Sequence, residues 1–478
     1  MEYPALELLI DGRWHDRTDS GFLPVVNPAD GSQIGSLPIA GAVELQAAER
    51  AAGRAFPQWS SMLPIERFRI LTRATALIRE RVEGIAHALT LEQGKPLAES
   101  RREVMLAADI IDFMAEESKR LSTRGVPPRL DSILAQTVER VPVGPVAAFT
   151  PWNFPANLPA RKLGGALSAG CSVIIKPSEE TPGTCILLAR ALVDAGLPAG
   201  VLNLVYGDPS YISRTLIASE TIRKVSFTGS VPVGRLLGEL AAHHLKRYTS
   251  ELGGHAPVIV CADADPVPVA RLAVPAKFRN AGQVCASPIR FLVHRSVYAS
   301  FRDAFVAGAA ALKIGSGLEE GVQVGPLIHQ RRIGEMQAFV DEAVGQGGRV
   351  LLGGSQVARP GFFYHPTIIE DAPSSARVQR EEPFGPIALL DAFDDLDDAI
   401  ARANGLPYGL AAYAFTRDLK ASHRLSRGLR AGMIGINHFG VSQPETPFGG
   451  VGDSGLGSES GLEGLLGYTD VKLVSVSA

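Results

Sequence analysis

The sequence predicts an α/β fold organised around a doubly wound parallel sheet. Short apolar runs alternate with helix-length stretches between residues 143 and 260, the signature of repeated βαβ units. Two long amphipathic stretches precede them, over 43–59 and 65–121, with apolar positions at helical spacing and Arg and Glu between. At 478 residues the chain exceeds one ordinary hydrophobic core, so two or three domains are expected.

Taken in order, both amphipathic stretches read as helices. Residues 123–139 (TRGVPPRLDSILAQTVE) interrupt them with a Pro pair and then turn strand-like. Strands follow at VGPVAAF (143–149), SVIIK (172–176), VLNLV (201–205), KVSF (224–227) and PVIV (257–260). Ligands of such sheets bind at the carboxyl ends of the strands, so chemistry is expected in the turns just after these runs. Residues 262–435 repeat the alternation less clearly and read as a second α/β domain. In the tail, DVKLVSV alternates like a strand, either pairing with another subunit or forming an internal edge.

Composition excludes several function classes. The 50 glycines and 33 prolines are scattered, which implies many turns but no low-complexity tract. A net charge of −3 gives no electrostatic case for nucleic acid or an anionic membrane as partner. The N-terminus (MEYPALELLIDGRW) lacks the basic and apolar regions of a secretion signal, and no apolar run reaches the ~20 residues of a membrane span. Cys171, Cys185, Cys261 and Cys285 are far apart, which argues against a zinc site or a disulfide framework. A reducing cytoplasm is the expected location, and no metal is expected.

Each strand-end turn carries polar residues of interest. In TPWNFP (150–155) two prolines stiffen the turn that carries Asn153. Its carboxamide is either an oxyanion donor or a satisfied turn residue. KPSEETP (176–182) sets Lys176 and Glu179 where a ribose would sit; a carboxylate there takes both ribose hydroxyls and repels a 2′-phosphate. The same segment reads as a helix start, with Ser178 and Thr181 as caps. In FTGSVPVG (227–234), Gly229 permits close approach of a ligand and Ser230 opens a helix whose N–H groups suit a phosphate. The one formal GxGxxG, Gly450 to Gly455, neither follows a clear strand nor opens a βαβ unit, and is discarded as a dinucleotide fingerprint. ELGGHAPVIV (251–260) puts Glu251 before two glycines and a strand. GQVCAS (282–287) sets Cys285 in a small turn, where it is either a nucleophile or an ordinary thiol; the other cysteines read as core.

In this order, TPWNFP, KPSEETP, FTGS, ELGG, GQVC, EEPFGP (381–386) and PFGG resemble the aldehyde dehydrogenases closely, over residues 150 to 450 and toward both ends. The resemblance implies a Rossmann-like cofactor domain over 1–122 and 142–252, a catalytic domain over 253–456, and a β oligomerisation element over 123–141 and 457–478 that builds a homodimer or homotetramer. It implies Cys285 as nucleophile, Asn153 with the Cys285 backbone N–H as oxyanion hole, and Glu251 as general base. NAD is the implied cofactor, with NADP as the alternative. Lys176 and Glu179 match the adenosine ribose site, and Gly229 and Ser230 the pyrophosphate turn. Glu382 matches the holder of the nicotinamide ribose, with Phe384 beside it. Trp152 lies in the groove, and Phe149, Ser178, Gly207 and Leu252 join the same set.

Within the family the resemblance is nearest to succinate-semialdehyde and 2-oxoglutarate-semialdehyde dehydrogenases. Arg161 (NFPANLPARK), Arg279 (KFRNAGQVC) and Ser442 match positions that hold a distal carboxylate, and two guanidiniums with a hydroxyl suit that group. The alternative is that each Arg pairs with a nearby acid. The implied substrate is a small semialdehyde, with neutral aliphatic or aromatic aldehydes as the alternative. Ala286 and Ser287 stand where some relatives carry a second Cys, so no redox switch of that kind is expected. Gly452 replaces a common Lys, and Leu158 and Pro159 depart from some relatives, leaving substrate length open. CoA-acylating and esterase chemistries are disfavoured by Glu251 and by the cofactor motifs respectively.

Overall fold

A computed structural model describes residues 2–477. The first sheet has eight strands in the order Gly455–Leu456, Arg247–Glu251, Lys224–Thr228, Val146–Phe149, Val173–Lys176, Leu202–Leu204, Leu8–Ile10 and Arg13–His15. Its five central strands run parallel. Four of them are short and buried throughout, as expected when crossover helices cover a parallel sheet. The second sheet has seven strands, ordered Arg349–Leu352, Thr367–Glu370, Ile387–Phe393, Pro288–His294, Ala256–Val260, Ala411–Phe415 and Met433–Ile436. Each sheet has its own buried hydrophobic cluster.

Several expectations shift. The helix expected over 65–121 is three helices, Pro64–Glu80, Val82–Gln93 and Leu97–Ser118. The last break is made by Gly94, left-handed at φ 93°, followed by Pro96. The run at 257–260 opens the second sheet rather than extending the first. A strand absent from the sequence reading, Arg247–Glu251, lies beside Lys224–Thr228 and carries Glu251 to its carboxyl end. Its run RYTSE has no apolar alternation, so burial of its last three residues comes from packing that the pattern does not announce. The discarded GxGxxG segment ends in a short antiparallel strand at the sheet edge.

The strand-like segment near 123–141 resolves into Arg124–Gly125 and Ile133–Pro142. The tail strand Thr469–Ser477 pairs antiparallel with Ile133–Pro142 in the same chain, as the outer strand of a three-stranded sheet. Among the described residues no helix is long and apolar enough to cross a membrane.

Candidate active site

Register brings the strand ends together. Phe149 pairs with Phe227 on one side and Lys176 on the other, and Thr228 pairs with Glu251. A groove of about 290 Å³ opens over these ends, and Phe149, Trp152, Lys176, Ser178, Glu179, Gly229 and Ser230 all line it. Glu179 pairs with Lys176 at 2.5 Å and accepts the Gly207 N–H at 3.2 Å. Gly207 therefore acts from behind the groove, by fixing Glu179. Leu252 also stands behind it, against Gly234, where a Cβ would come within 2.4 Å of Leu252 Cδ2. At Gly229 a Cβ would fall 2.4 Å from the Phe227 ring, so the turn needs glycine. Ser230 starts the helix Val231–His243 without a side-chain capping bond, leaving N–H groups free at that end. Two groove hydroxyls, of Thr150 and Thr228, are buried and have no partner among the described residues. Free amides, orphaned hydroxyls and a carboxylate form a donor and acceptor set that fits a dinucleotide.

The capping expected of Ser178 and Thr181 is not formed. Thr181 precedes the helix Pro182–Asp194 with no side-chain bond, and Ser178 bonds Glu180. Buried Glu92 holds the helix start instead, accepting from Gly183 N at 2.8 Å and Thr184 N at 2.9 Å.

Cys285 follows a 3-10 turn, Arg279–Gly282, in which Asn280 and Ala281 are left-handed at φ 50° and 52°. It is half-buried, and the other three cysteines are buried. Burial, reinforced by Glu382 and Glu251, pushes its thiol up to about 12, while Arg161 pulls the other way. Gly254 packs on the Cys285 carbonyl oxygen, where a Cβ would sit at 2.8 Å. Glu251 is 2% exposed, and among the described residues neither carboxylate oxygen has a hydrogen-bond partner. Burial and Glu459 raise it well above the usual carboxylate range, against the pull of Lys162 and Arg161. Such a carboxyl holds a proton more readily than an ordinary one and suits proton transfer.

Asn153 is buried and gripped at both ends. Its Nδ2 donates to Gln283 O at 3.1 Å, and its own carbonyl accepts from Lys95 Nζ at 2.8 Å and Asn280 Nδ2 at 2.9 Å. Glu382 accepts the Gly254 N–H at 3.1 Å and stands over Gly253, while burial pushes its carboxyl up to about 8. Phe384, at φ 46°, meets Trp152 edge-on at 5.6 Å. Arg332 donates to the Pro383 and Phe384 carbonyls and so holds that strained turn.

A second cavity, of about 190 Å³, contains Cys285, Arg161, Arg279 and Ser442. Arg161 is 3% exposed, donates to Ser442 Oγ at 2.8 Å and to Ser460 Oγ, and lies over the Phe448 ring at 4.3 Å. Among the described residues no ion pair is formed by Arg161 or Arg279; the nearest acids act on Arg161 only through space. Arg279 is exposed at the rim. Phe154, Tyr413, Phe439 and Phe448 supply aromatic walls.

The sequence reading did not include the groups behind these residues. Lys162 pairs with Glu459 beside Glu251, Lys95 with Glu103, and Asn280, Gln283 and Arg332 hold backbone. Their one sequence signal is position: Lys162 adjoins Arg161, Asn280 and Gln283 precede Cys285, and Lys95 sits between Gly94 and Pro96.

Comparison with known proteins places the chain. The family model described as "Aldehyde dehydrogenase family" matches residues 14–474. The 4-(hydroxymethyl)benzenesulfonate dehydrogenase TsaD1 of Comamonas testosteroni is 49% identical over 99% of this chain and 98% of its own length. The NADP(+) succinate-semialdehyde dehydrogenase GabD of Escherichia coli is 41% identical, covering 98% and 97%. Among solved structures, succinate-semialdehyde dehydrogenase from Burkholderia pseudomallei superimposes with a TM-score of 0.96 at 39% identity, covering 99% of this chain and 98% of that one. The chain belongs to the aldehyde dehydrogenase family and is an oxidoreductase acting on aldehydes.

Proposed function

We propose that this enzyme oxidises an aldehyde bearing a distal anion to the carboxylic acid, with NAD, through a thioester on Cys285. The observation that carries the substrate class is Arg161. A buried guanidinium with no ion pair among the described residues, aimed into the cavity that holds the nucleophile, has its desolvation cost already met by the fold. An entering anion supplies the missing counter-charge. Semialdehyde dehydrogenases at about 40% identity support a carboxylate as that anion.

Phe149, Trp152, Lys176, Ser178, Glu179, Gly229 and Ser230 would hold the dinucleotide, with Glu382 and Phe384 at its nicotinamide end. When bound, NAD supplies the hydride acceptor. Glu179, fixed by Lys176 and Gly207, favours ribose hydroxyls over a 2′-phosphate. Cys285 loses its thiol proton to a base, and its sulfur adds to the aldehyde carbon. The carbonyl electrons move to oxygen, where the Asn153 Nδ2–H and the Cys285 N–H receive the charge; one such donor is worth about 3–4 kcal/mol. Two-electron oxidation of this adduct leaves the thioester. Glu251 takes a proton from the attacking water, the C–S bond breaks, and the thiolate leaves.

A second reading has the anion as a sulfonate on an aromatic ring. Four aromatic side chains in the cavity favour it, as do two 49%-identical relatives named for 4-(hydroxymethyl)benzenesulfonate. The test is reduced-nicotinamide formation with succinate semialdehyde, glutarate semialdehyde, 2-oxoglutarate semialdehyde, 4-formylbenzenesulfonate, hexanal and benzaldehyde. Preference for the anionic members supports the proposal, and their ranking separates the two readings. Preference for hexanal or benzaldehyde removes Arg161, Arg279 and Ser442 from substrate recognition. The sheet of Thr469–Ser477 and Ile133–Pro142, with Leu134, Val471 and Leu473 exposed, is the proposed oligomerisation element, checked by light scattering for a dimer or tetramer.

A further inference from the structure

The peptide that carries Asn153 is held by a buried cation. Lys95 is 1% exposed and follows the left-handed Gly94 that ends the helix Val82–Gln93. Its Nζ lies 2.5 Å from Glu103 Oε2, 2.8 Å from the Asn153 carbonyl oxygen and 4.0 Å above the Phe154 ring. Glu103 divides its two oxygens. One meets the ammonium; the other accepts from Ala156 N at 2.9 Å and Asn157 N at 3.2 Å, at the start of the helix Asn157–Ala169. The second donor to the Asn153 carbonyl, Asn280, is itself fixed by Gln93 at 2.8 Å and Glu99 at 3.0 Å. Burying an ammonium is costly, and a lysine used only to fill space would be replaced more cheaply by an apolar residue. Here its charge meets a counter-ion and one particular carbonyl, that of Asn153, the residue read as the oxyanion donor.

We infer that Lys95 is a positioning residue for the oxyanion hole: its ammonium, docked by Glu103, clamps the Asn153 peptide and so fixes where the Asn153 carboxamide points. The inference rests on the reading of Asn153 as the oxyanion donor. It extends the active-site machinery to Lys95, in the link between the helices Val82–Gln93 and Leu97–Ser118, and to Glu103 on the second of them.

A double-mutant cycle tests it. Wild type, Asn153→Ala, Lys95→Met and the double variant are assayed with NAD and whichever of succinate semialdehyde, glutarate semialdehyde or 4-formylbenzenesulfonate turns over fastest. A donor displaced by about an ångström costs on the order of a hundredfold, so Lys95→Met should lower kcat by about that factor. The KM values for NAD and aldehyde should stay close to wild type. If Lys95 acts through Asn153, the double variant is no slower than Asn153→Ala alone. Multiplying losses, or an unchanged kcat in Lys95→Met, overturn the inference. A full kcat in Asn153→Ala refutes the reading of Asn153 itself, and the inference falls with it. Should Lys95→Met fail to fold because Glu103 is left bare, Lys95→Met with Glu103→Gln takes its place in the cycle. That pair removes both charges and keeps an acceptor for Ala156 N, and the same outcomes apply.

Discussion

Replacing Arg161 by alanine removes a guanidinium that is 3% exposed and donates to two serine hydroxyls, of Ser442 and Ser460. Those neutral partners leave donors free for a substrate anion. A hydrogen bond to a charged group contributes about 1.5–3 kcal/mol, and a buried charge pair at roughly 4 Å adds Coulomb attraction of a few kcal/mol at an effective dielectric near 20. The two overlap and are offset by the anion's own desolvation, and a net loss of about 3–4 kcal/mol corresponds to a fall of roughly 10²–10³ in kcat/KM for an anionic aldehyde. Alanine also frees Ser442 and strips the face of Phe448, but that damage falls on every substrate and cancels in a ratio. The assay is therefore kcat/KM for succinate semialdehyde divided by that for hexanal, in wild type and variant. Arg279, exposed at the rim, supplies the internal control: a surface charge is worth about 0.2–1 kcal/mol, so Arg279→Ala should change the ratio less than about fivefold. An equal loss on both substrates in Arg161→Ala would refute the reasoning and make Arg161 a structural residue.

Four further outcomes are expected. Cys285→Ala abolishes aldehyde oxidation while calorimetry finds NAD affinity near wild type; turnover in that variant would exclude the thioester. Because burial raises both Glu251 and Cys285, their deprotonated forms grow as pH rises, and kcat should climb through neutral into alkaline pH. Glu251→Gln should lower kcat by about 10²–10⁴ and leave only the more alkaline part of the climb, that of Cys285; an unchanged profile would assign the base elsewhere. Glu179→Gln removes a charge facing a 2′-phosphate, and about 1.4 kcal/mol of relieved repulsion should shift the NADP to NAD efficiency ratio roughly tenfold; an unmoved ratio would free Glu179 of that role. Gly253→Ala places a methyl 2.1 Å from Glu382 Oε2 and must push that carboxylate off the Gly254 N–H. The KM for NAD should rise with little change in Tm, and an unchanged KM would detach Glu382 from the cofactor.

Residues in turns at strand ends were legible because the turns are short and chemically marked. TPWNFP, KPSEETP and FTGS each follow an apolar run, and all three line one groove. Arg247–Glu251 was illegible because a polar strand buried by its neighbours lacks the alternation that announces burial. The helix stretch of 65–121 kept its period across two breaks, since Arg81 and Gly94 interrupt the backbone without disturbing the apolar spacing. The cap on Pro182–Asp194 was misplaced because Glu92, about ninety residues earlier, does the work expected of a local Thr181. Lys95, Glu103, Asn280 and Lys162 escaped for a similar reason. Their roles come from contacts across the fold, which no local window contains.

The pairing of Ile133–Pro142 with Thr469–Ser477 also bears on how the protein is made. Gln136 and Ser475, neighbours in that sheet, are 339 positions apart in sequence. At the usual pace of roughly 5–20 residues per second, the first strand leaves the ribosome tens of seconds before its mate exists. During that interval Leu134 and Val138 sit on an unpaired edge, open to other chains on neighbouring ribosomes. Slowing translation late in the message should therefore lengthen the hazard.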